Sequence, residues 1–459
     1  MYFQQFYLNC LAHASYLIGS EGKAVVVDPQ RDTAIYIEEA AQRGLQIVAV
    51  IETHLHADFV SGHVELAKRT GARVYIGAES GATFEHVPVR NGEELEIGRV
   101  RLTFLETPGH TIEGICVLVT DLERGEQPFA ILTGDTLFNG DVGRPDLSPR
   151  HTPRELAGML YDSLHSKILT LPDELLVYPA HGAGSLCGKQ MGSELVTTLG
   201  MQRQTNYALR AKSRDEFIEL ITAGLPERPD YFSRDAEMNR AGAVPLEELP
   251  ALRALTPEAV QAEVAGGAIV LDVRPATNFL AAHVPSSVNI GLGGQFASWA
   301  GAILGLDSKL ILVAEDDAQI EEARTRLARV GIDNLVGYLR RGVIAWEEAG
   351  LPLERIPEIT AEELAAKRSC ETPGPEILDV RNPGEWDSGH IDGARNVPLG
   401  QLGRRLSGLD SDCDWVVHCQ GGYRSAIAAS LLKRAGVQQV TNLIGGINAW
   451  KACCLPLNT

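Results

Sequence analysis

Two histidines and an aspartate, separated from one another by single residues, stand early in the chain at His54, His56 and Asp58. They follow residues 47–52, an apolar run with the length of a buried strand. In a tight loop after such a strand, these polar side chains would converge on one point. Neutral imidazoles and carboxylates are ligands that first-row transition metals prefer. The motif therefore indicates a metal site, although taken alone it would be weak evidence.

Further polar residues of the same kind follow at intervals, each behind a short β-rich run. His110 follows residues 100–105, Asp135 follows residues 130–132, and His181 follows residues 175–177. Four separate strand ends that each offer a ligand are difficult to explain by packing alone. We therefore predict that these loops meet at one metal centre.

The order and the surroundings of these residues resemble the metallo-β-lactamase superfamily over residues 1–245. That family's motif usually continues with a histidine directly after the aspartate, but this sequence has Phe59. A second metal site would thereby lose an imidazole and gain an apolar ring, which argues against a dinuclear zinc hydrolase. The resemblance then leaves one metal with three protein ligands, His54, His110 and Asp135.

Two histidines and one carboxylate with open coordination positions are typical of non-haem Fe(II) oxygenases. One Fe(II) per chain is therefore the expected cofactor. Three nearby polar residues are expected to hold the ligands or a bound water by hydrogen bonds, or to serve as alternative ligands. These three are His56, Asp58 and His181.

The resemblance narrows to persulfide dioxygenases at residues 143–146, a Gly-Arg-x-Asp segment. It implies that Arg144 steers the anionic end of the substrate. Cys187, soon after the last histidine of the set, is predicted to line the persulfide pocket, to accept sulfur, or only to fill space. Residues 195–220 are predicted to form a helix.

Composition limits the remaining function classes. The chain has 459 residues, 44% of them hydrophobic and 22% charged, which predicts a globular protein of two to four domains. The net charge of 41 − 60 = −19 argues against nucleic acid or an anionic membrane as a partner. No apolar run approaches the ~20 residues of a membrane span. The start lacks the features of a signal peptide, and eight scattered cysteines suit a reducing cytoplasm.

The second half of the chain contains an internal repeat. Ile-Val-Leu-Asp-Val-Arg at 269–274 returns as Glu-Ile-Leu-Asp-Val-Arg at 376–381, and both copies close with Ala-Trp before Leu-Pro-Leu. Short apolar runs alternate with helical patterns, as in a parallel α/β sheet. Both copies resemble rhodanese (sulfurtransferase) domains. The expected fold is thus α/β: a metallo-β-lactamase αββα sandwich over 1–245, then two rhodanese-like α/β/α domains with parallel sheets over 246–355 and 356–459.

Only the second copy has a candidate nucleophile. Cys419 ends a buried run, and a glycine-bearing loop leads into a predicted helix over 426–435. Loop N–H groups and the helix end would stabilise a thiolate or a bound anion, and Arg424 adds a cation for an oxyanion such as sulfite or thiosulfate. The anion is expected to contact Gln420, Gly421, Gly422, Tyr423 and Ser425. The first copy has three acids at 315–317 instead, which predicts a spacer, docking surface or oligomerisation element.

Together the resemblances imply a persulfide dioxygenase joined to a sulfurtransferase in sulfide detoxification. A small thiol persulfide and O2 would yield sulfite, and Cys419 would carry sulfur among persulfide, sulfite and thiosulfate. The alternatives are a zinc-dependent thioester hydrolase of the glyoxalase II kind fused to a sulfurtransferase, and a non-catalytic sulfur carrier or scaffold. A homo-oligomer is expected. The carrier thiol (glutathione, coenzyme A or bacillithiol) and the direction of sulfur transfer are not determined by the sequence.

Overall fold

The computed structural model describes residues 1–148, 150–225, 227–370 and 374–458. The chain divides into two compact units. The first comprises residues 1–249 together with 328–331, and the second comprises the rest of the chain from Pro250 onward. Both copies of the repeat lie in the second unit.

The first unit contains two six-stranded sheets. Its strands are β1 Tyr2–Leu8, β2 His13–Ser20, β3 Lys23–Val27, β4 Gln46–Glu52, β5 Arg73–Gly77, β6 Val87–Val89, β7 Glu94–Ile97, β8 Val100–Glu106, β9 Ile115–Asp121, β10 Ala130–Gly134, β11 Leu176–Pro179 and β12 Thr197–Thr198. Its helices are α1 Ala34–Gln42, α2 His63–Thr70, α3 Pro153–Ser163, α4 Leu199–Thr205, α5 Arg214–Thr222 and α6 Tyr231–Ala241. The strand orders are β1-β2-β3-β4-β5-β6 and β12-β11-β10-β9-β8-β7.

The two sheets pack face to face. Their shared core includes Ile51 from β4 and Val117 from β9. Helices α1 and α2 cover the outer face of the first sheet, with Tyr36 in that core, and α3 to α5 cover the second sheet, with Phe217 in that core. Helix, sheet, sheet and helix layers confirm the predicted αββα sandwich.

Parallel pairing positions the polar loops. Strands β3, β4 and β5 are mutually parallel, and so are β10 and β11. The carboxyl ends of parallel neighbours lie at the same edge of a sheet. The polar residues that follow β4, β10 and β11 therefore meet there, as the sequence predicted, and Asp28, which follows β3, lies there as well.

The single helix predicted over residues 195–220 is wrong. The segment forms α4 and α5 with an irregular link between them. Asn206, fully buried, ends α4 because its side-chain amide donates to the carbonyl of Asp141 at 2.9 Å and to Gln202 Oε1 at 3.1 Å. If the helix continued past Asn206, this side-chain amide could no longer reach the Asp141 carbonyl.

The second unit contains two five-stranded sheets. Their strands are β13 Arg253–Leu255, β14 Ile269–Asp272, β15 Val288–Asn289, β16 Leu310–Val313, β17 Leu335–Leu339, β18 Glu358–Ile359, β19 Glu376–Asp379, β20 Arg395–Asn396, β21 Asp414–His418 and β22 Gln439–Leu443. The helices are α7 Pro257–Ala265, α8 Ala276–Ala281, α9 Phe296–Leu304, α10 Asp317–Ala328, α11 Gly342–Glu348, α12 Ala361–Cys370, α13 Pro383–Asp387, α14 Leu399–Arg405, α15 Tyr423–Arg434 and α16 Gly446–Ala452.

The sheets of the two copies have the same topology. Their orders are β13-β17-β16-β14-β15 and β18-β22-β21-β19-β20, and all their strand pairs are parallel. The predicted repeat and its parallel sheets are therefore confirmed. Across the described ranges, no helix has the length and the apolar character needed to cross a bilayer.

The repeated Asp-Val-Arg motif forms a buried ion pair in each copy. In the second copy, Arg381 donates to Asp379 through Nε at 2.9 Å and Nη2 at 2.6 Å. Asn396 Nδ2 donates to the carbonyls of the same two residues at 3.0 and 2.9 Å. Arg274 and Asp272 repeat the pairing in the first copy. The motif thus serves the fold and not catalysis, because both copies have it.

Replacing Arg381 with leucine should destabilise the second unit by about 3–5 kcal/mol, because the buried Asp379 carboxylate would lose its partner. All five tryptophans lie between residues 299 and 450, so tryptophan fluorescence during urea unfolding of the full chain reports on this unit. Glu348→Ala is the control, since that carboxylate pairs with Arg341 on the surface and its loss should barely move the midpoint. Equal midpoints for Arg381→Leu and the unaltered protein would contradict the prediction.

Candidate functional site

Three predicted metal ligands converge in the first unit. His54 Nε2 and His110 Nε2 lie 3.7 and 3.3 Å from Asp135 Oδ2. All three side chains are buried, and none of these three atoms has a hydrogen-bond partner within the described chain. Buried polar atoms are normally hydrogen-bonded, so three that converge without partners fit a bound cation. The donor set suits a transition metal.

Hydrogen bonds at the far side of each imidazole determine which nitrogen is free. Thr53 Oγ1 donates its one proton to Asp28 Oδ2 at 2.8 Å, so His54 Nδ1, 3.0 Å away, must be the donor to that hydroxyl. His110 Nδ1 lies 2.9 Å from the carbonyl of Arg144, which can only accept. In both imidazoles the lone pair is therefore on Nε2, the atom that faces Asp135.

Electrostatics keep these imidazoles neutral. Burial, and then the neighbouring His56, hold the pKa of His54 well below its usual value. Burial also lowers the pKa of His110. Burial opposes the charge on Asp135, but His181 and His54 hold the pKa of that carboxyl well below its usual range. Neutral imidazoles and an ionised carboxylate are the protonation states that a metal requires.

His181 faces two carboxylates. Its Nδ1 lies 2.7 Å from Asp135 Oδ1 and its Nε2 lies 3.0 Å from Asp58 Oδ2. Burial opposes its charge, but Asp135 and then Asp58 hold its pKa well above the usual value. His181 therefore lies between the two carboxylates and is placed to orient Asp135. It also belongs to two groups that could hold an ion, so its role as orienting residue or alternative ligand stays a prediction.

Phe59 fills the place beside this pair. Its fully buried ring lies 4.3 Å from the ring of His56 and 6.3 Å from that of His181, measured between centroids. His56 Nε2 points to Asp28 Oδ1 at 3.2 Å. His56, Asp58 and His181 also offer donor atoms close enough to hold an ion, but the ring of Phe59 beside them adds no ligand to that set.

Arg144 is buried and already paired. Its Nε and Nη2 donate to the two Asp146 carboxylate oxygens at 2.6 and 2.8 Å, and its Nη1 donates to the Leu186 carbonyl at 3.1 Å. The Arg144 carbonyl also accepts from His110 Nδ1, so the main chain of Arg144 orients this imidazole. That it steers the substrate stays a prediction, and these contacts support a positioning role.

Sequence reasoning missed three acids that hold the loops. Asp28 has a left-handed φ of 51°, an uncommon conformation for a residue other than glycine, and its carboxylate accepts from the N–H and the hydroxyl of Thr53. Glu113 accepts from the N–H of Leu55 at 3.0 Å, and Glu52 accepts from Ser61 Oγ at 2.7 Å. The signal was available for Asp28, since it directly follows the buried run Ala24 to Val27, as His54 follows β4.

A cavity of about 150 Å³ opens in the first unit. Leu55 and Thr111, which neighbour the candidate ligands His54 and His110 in the sequence, line it. Three cationic side chains, Arg150, Arg228 and Arg240, line the same cavity together with the carboxyl groups of Glu79 and Glu113. The lining therefore has a small excess of positive groups, which favours a substrate with an anionic group.

Cys187 lies close to the same carboxylates. It is buried, and its sulfur lies within 4.8 Å of ligand atoms of Asp135 and His181. Burial, and then Asp58 and Asp135, raise the pKa of its thiol well above the usual value. A thiol in that state is a weak nucleophile. Cys187 is not among the residues that line the cavity described above, so its role stays a prediction.

The cysteine loop of the second unit places one N–H donor and one hydroxyl oxygen near its sulfur. Cys419 Sγ accepts from the N–H of Gly422 at 3.1 Å, which the glycine's φ of 114° permits. Ser425 Oγ lies 3.7 Å from the same sulfur and donates to Asn442 Oδ1 at 2.7 Å. Helix α15 begins at Tyr423, three residues earlier than predicted. Cys419 is only 1% exposed, so the loop shields almost all of it from solvent.

Arg424 has a partner that the sequence did not reveal. Its Nη1 and Nη2 each donate to Glu385 at 2.7 Å. That hydrogen bond raises the pKa of Arg424 and lowers that of Glu385. A bidentate pair fixes the guanidinium plane, so Arg424 is held in one orientation at the side of the loop. Contact of Arg424 with an oxyanion stays a prediction, as does that of Gln420 and Gly421.

The first repeat has no equivalent of this loop. Three residues, 314–316, connect β16 to α10, whereas four residues, 419–422, connect β21 to α15. Without a cysteine, and with Glu315 and Asp316 exposed there, the first repeat has no sulfur acceptor at this position.

Comparison with protein families agrees with this geometry. The model of the metallo-beta-lactamase superfamily matches residues 8–181, and that of the rhodanese-like domain matches 256–349 and 360–453. The mitochondrial persulfide dioxygenase of Homo sapiens is 32% identical over 211 residues, which are 45% of this chain and 75% of that protein. The chain belongs to the metallo-β-lactamase superfamily. Its second unit contains two rhodanese-like domains, and both domain types indicate an enzyme.

Other members of the superfamily are also similar to this chain. A hydroxyacylglutathione hydrolase from Polaromonas sp. is 29% identical over 251 residues, 48% of this chain and 91% of that protein. The crystal structure of a metallo-beta-lactamase from Staphylococcus aureus subsp. aureus COL is 32% identical, with a TM-score of 0.67, and covers 74% of this chain and 99% of its own. The superfamily thus includes both a hydrolase and a dioxygenase among these relatives.

His110→Ala should remove the metal, because two remaining ligands hold an ion poorly. We expect iron content to fall from one per chain toward zero, with loss of oxygen uptake and unchanged thiosulfate sulfurtransferase activity. Metal analysis by mass spectrometry on the purified protein measures the first effect directly. His86→Ala is the matched control, since that imidazole bonds the Phe84 carbonyl and should leave the iron in place. Normal iron content in His110→Ala would exclude it as a ligand.

Proposed function

We propose that this protein oxidises a small thiol persulfide with dioxygen at one iron and transfers sulfane sulfur through Cys419, and so detoxifies sulfide. The observation that carries the proposal is the convergence of three partnerless atoms, His54 Nε2, His110 Nε2 and Asp135 Oδ2. Two imidazoles and one carboxylate leave coordination positions free for small molecules. A cysteine loop on the same chain supports sulfur as the element that both sites handle.

The oxidation balances as persulfide R–S–SH, O2 and water giving thiol R–SH, sulfite and two protons. Iron(II) at the three ligands would supply the one-electron chemistry that ground-state dioxygen needs to react with a persulfide. The chain's own residues prepare this step. Thr53 and the Arg144 carbonyl hold the imidazole Nδ1 protons, so that both Nε2 lone pairs stay available. Arg150, Arg228 and Arg240 attract an anionic carrier thiol into the cavity.

The transfer proceeds through a cysteine persulfide. The Cys419 thiolate attacks the outer sulfur of a persulfide, forming Cys–S–S⁻ and releasing the carrier thiol. Sulfite then attacks that outer sulfur, which leaves as thiosulfate and regenerates the thiolate. The Gly422 N–H, 3.1 Å from the sulfur, stabilises the anion in both states. Eight free cysteines support a reducing compartment such as the cytoplasm as the place where this happens.

A zinc-dependent thioester hydrolase fused to a sulfurtransferase is the second candidate. The similarity to a hydroxyacylglutathione hydrolase favours it. It would need a second metal, and Phe59 offers that metal no ligand beside the Asp58–His181 pair at 3.0 Å. We therefore prefer the one-iron reading.

Oxygen uptake tests the proposal directly. A panel of persulfides of glutathione, coenzyme A and bacillithiol is supplied to the protein, and iron and zinc are measured on the same sample. Oxygen consumption with one iron per chain supports the dioxygenase. Thioester hydrolysis without oxygen uptake, with two zinc ions per chain, would replace it with the second candidate.

Phe59→His should raise the number of metal ions per chain above one in protein grown with zinc. The new imidazole would stand beside Asp58 and His181, completing a second donor set. Phe59→Leu is the control, because it opens a similar space without adding a ligand. An unchanged stoichiometry in the histidine variant would show that the Asp58–His181 pair alone closes the second site.

Cys419→Ser should abolish sulfur transfer and leave oxygen uptake unchanged, so that sulfite accumulates in place of thiosulfate. A hydroxyl near its free pKa is a poor nucleophile toward sulfane sulfur, whereas a loop-stabilised thiolate is a good one. Chromatography of derivatised sulfite and thiosulfate measures both products. Cys187→Ser serves as the comparison. Thiosulfate formed at the normal rate by Cys419→Ser would mean that sulfur passes through another thiol.

A further inference from the structure

A glycine-rich segment of the first repeat lies against the cysteine loop of the second. Tyr423, the residue after Gly422, donates its hydroxyl to the carbonyl of Gly291 at 2.8 Å. Its ring covers Gly294, where an added Cβ would stand only 2.5 Å from the ring's Cζ. Both repeats lie within one compact unit, so this contact is internal to that unit.

The glycine-rich segment is itself held rigidly. Arg326, on α10 of the first repeat and 8% exposed, donates to the carbonyls of Leu292 at 2.6 Å and Gly294 at 2.9 Å. Its guanidinium also lies 5.3 Å from the ring centre of Phe296. Two hydrogen bonds and a stacked ring make the segment a fixed surface and not a loose loop.

The sequence at this position differs between the repeats. Gly-Leu-Gly-Gly at 291–294 follows β15, whereas Pro-Leu-Gly at 398–400 follows β20 in the second copy. Since Gly294 has no left-handed φ, its backbone does not require glycine. The close approach of the Tyr423 ring favours glycine at position 294, because a Cβ there would collide with the ring.

We propose that the first repeat, although it has no catalytic cysteine, positions the sulfurtransferase loop of the second repeat through the Gly291–Tyr423 hydrogen bond and the Gly294–Tyr423 contact. Tyr423 begins α15 and directly follows Gly422, whose N–H lies on Cys419 Sγ. A fixed Tyr423 therefore fixes the donor that stabilises the thiolate. Tyr423 is a positioning residue and reaches the sulfur only through its neighbour.

The phenol is suited to this task. The Tyr423 side chain is partly buried, and this burial raises the pKa of its hydroxyl well above the usual value. It therefore remains a hydrogen-bond donor throughout the working pH range. The Gly291 carbonyl can only accept, so the polarity of the bond is determined.

Tyr423→Phe removes the hydrogen bond and keeps the ring, and Gly294→Ala pushes the ring away from the first-repeat side. We expect about a three- to tenfold lower kcat/KM for sulfur transfer in each full-length variant, the range that one hydrogen bond accounts for. The pH profile for alkylation of Cys419, followed on its peptide by mass spectrometry, should shift to higher pH, since a displaced Gly422 stabilises the thiolate less. Tryptophan fluorescence confirms that each variant is folded.

Arg434→Ala is the matched control. Arg434 Nη1 also joins the two repeats, by donating to the Ser286 carbonyl at 2.9 Å, but it lies at the far end of α15 from the loop. Its removal should leave kcat/KM and the alkylation profile unchanged. Equal losses in Arg434→Ala would show that general packing between the repeats matters, and would overturn the specific role of Tyr423.

A double-substitution cycle decides whether Gly294 acts through Tyr423. In a Tyr423→Ala background, Gly294→Ala should cause no further loss, because the ring with which it collides is absent. Additive losses would overturn the proposal, and so would unaltered kcat/KM and alkylation in both single variants. The proposal rests on Cys419 as the transferring residue. Transfer that survives Cys419→Ser would refute that function, whereas the alkylation profile tests the positioning independently.

Discussion

The Asp135 carboxylate is buried among three imidazoles, and this arrangement links the site to the sandwich. One of its oxygens faces His181 and the other faces His54 and His110. A buried charge must be paired or bound to a metal. Asp135 follows β10, and the three imidazoles follow β11, β4 and β8. Pairing of the buried carboxylate therefore holds the ends of both sheets together at one edge.

Both candidate sites lie at the ends of buried strands. The first is built from side chains and the second from a backbone N–H and a thiol. At the first, side chains that follow buried strands converge and leave three atoms without partners. At the second, Cys419 follows β21, and the backbone N–H of Gly422 turns toward its sulfur. Strand ends in parallel sheets expose backbone groups that the ladder no longer uses. A site can therefore develop there without disturbing the core.

Comparison of the two rhodanese-like domains distinguishes the buried ion pair, which both contain, from the cysteine loop, which only the second contains. The buried pairs Asp272–Arg274 and Asp379–Arg381 have the same geometry in both copies. The cysteine loop occurs in only one. A domain can thus lose its nucleophile and keep its sheet, since the ion pair and not the loop supports the strands. In the copy without cysteine, the same scaffold presents the segment 291–294 to Tyr423.

Much of the architecture could be predicted from the sequence, because the signals are local. Apolar runs with polar residues behind them indicated β4, β8, β10 and β11, and the recurring hexapeptide indicated two parallel sheets of one topology. The types of the donor residues, the phenylalanine at 59 and the position of Cys419 are also properties of the sequence itself. Through the family resemblances that they carry, they implied the αββα and rhodanese-like domains and named the candidate site residues.

Tertiary structure alone decided how those residues are held. The helix predicted over 195–220 breaks at Asn206 because its partner, the Asp141 carbonyl, comes from a loop 65 residues earlier. Arg424 is paired with Glu385, and the His54 tautomer depends on Asp28 through Thr53. Each of these contacts joins residues far apart in the chain. A hydrogen bond is determined by distance and angle between atoms, and the spacing of residues along a sequence specifies neither.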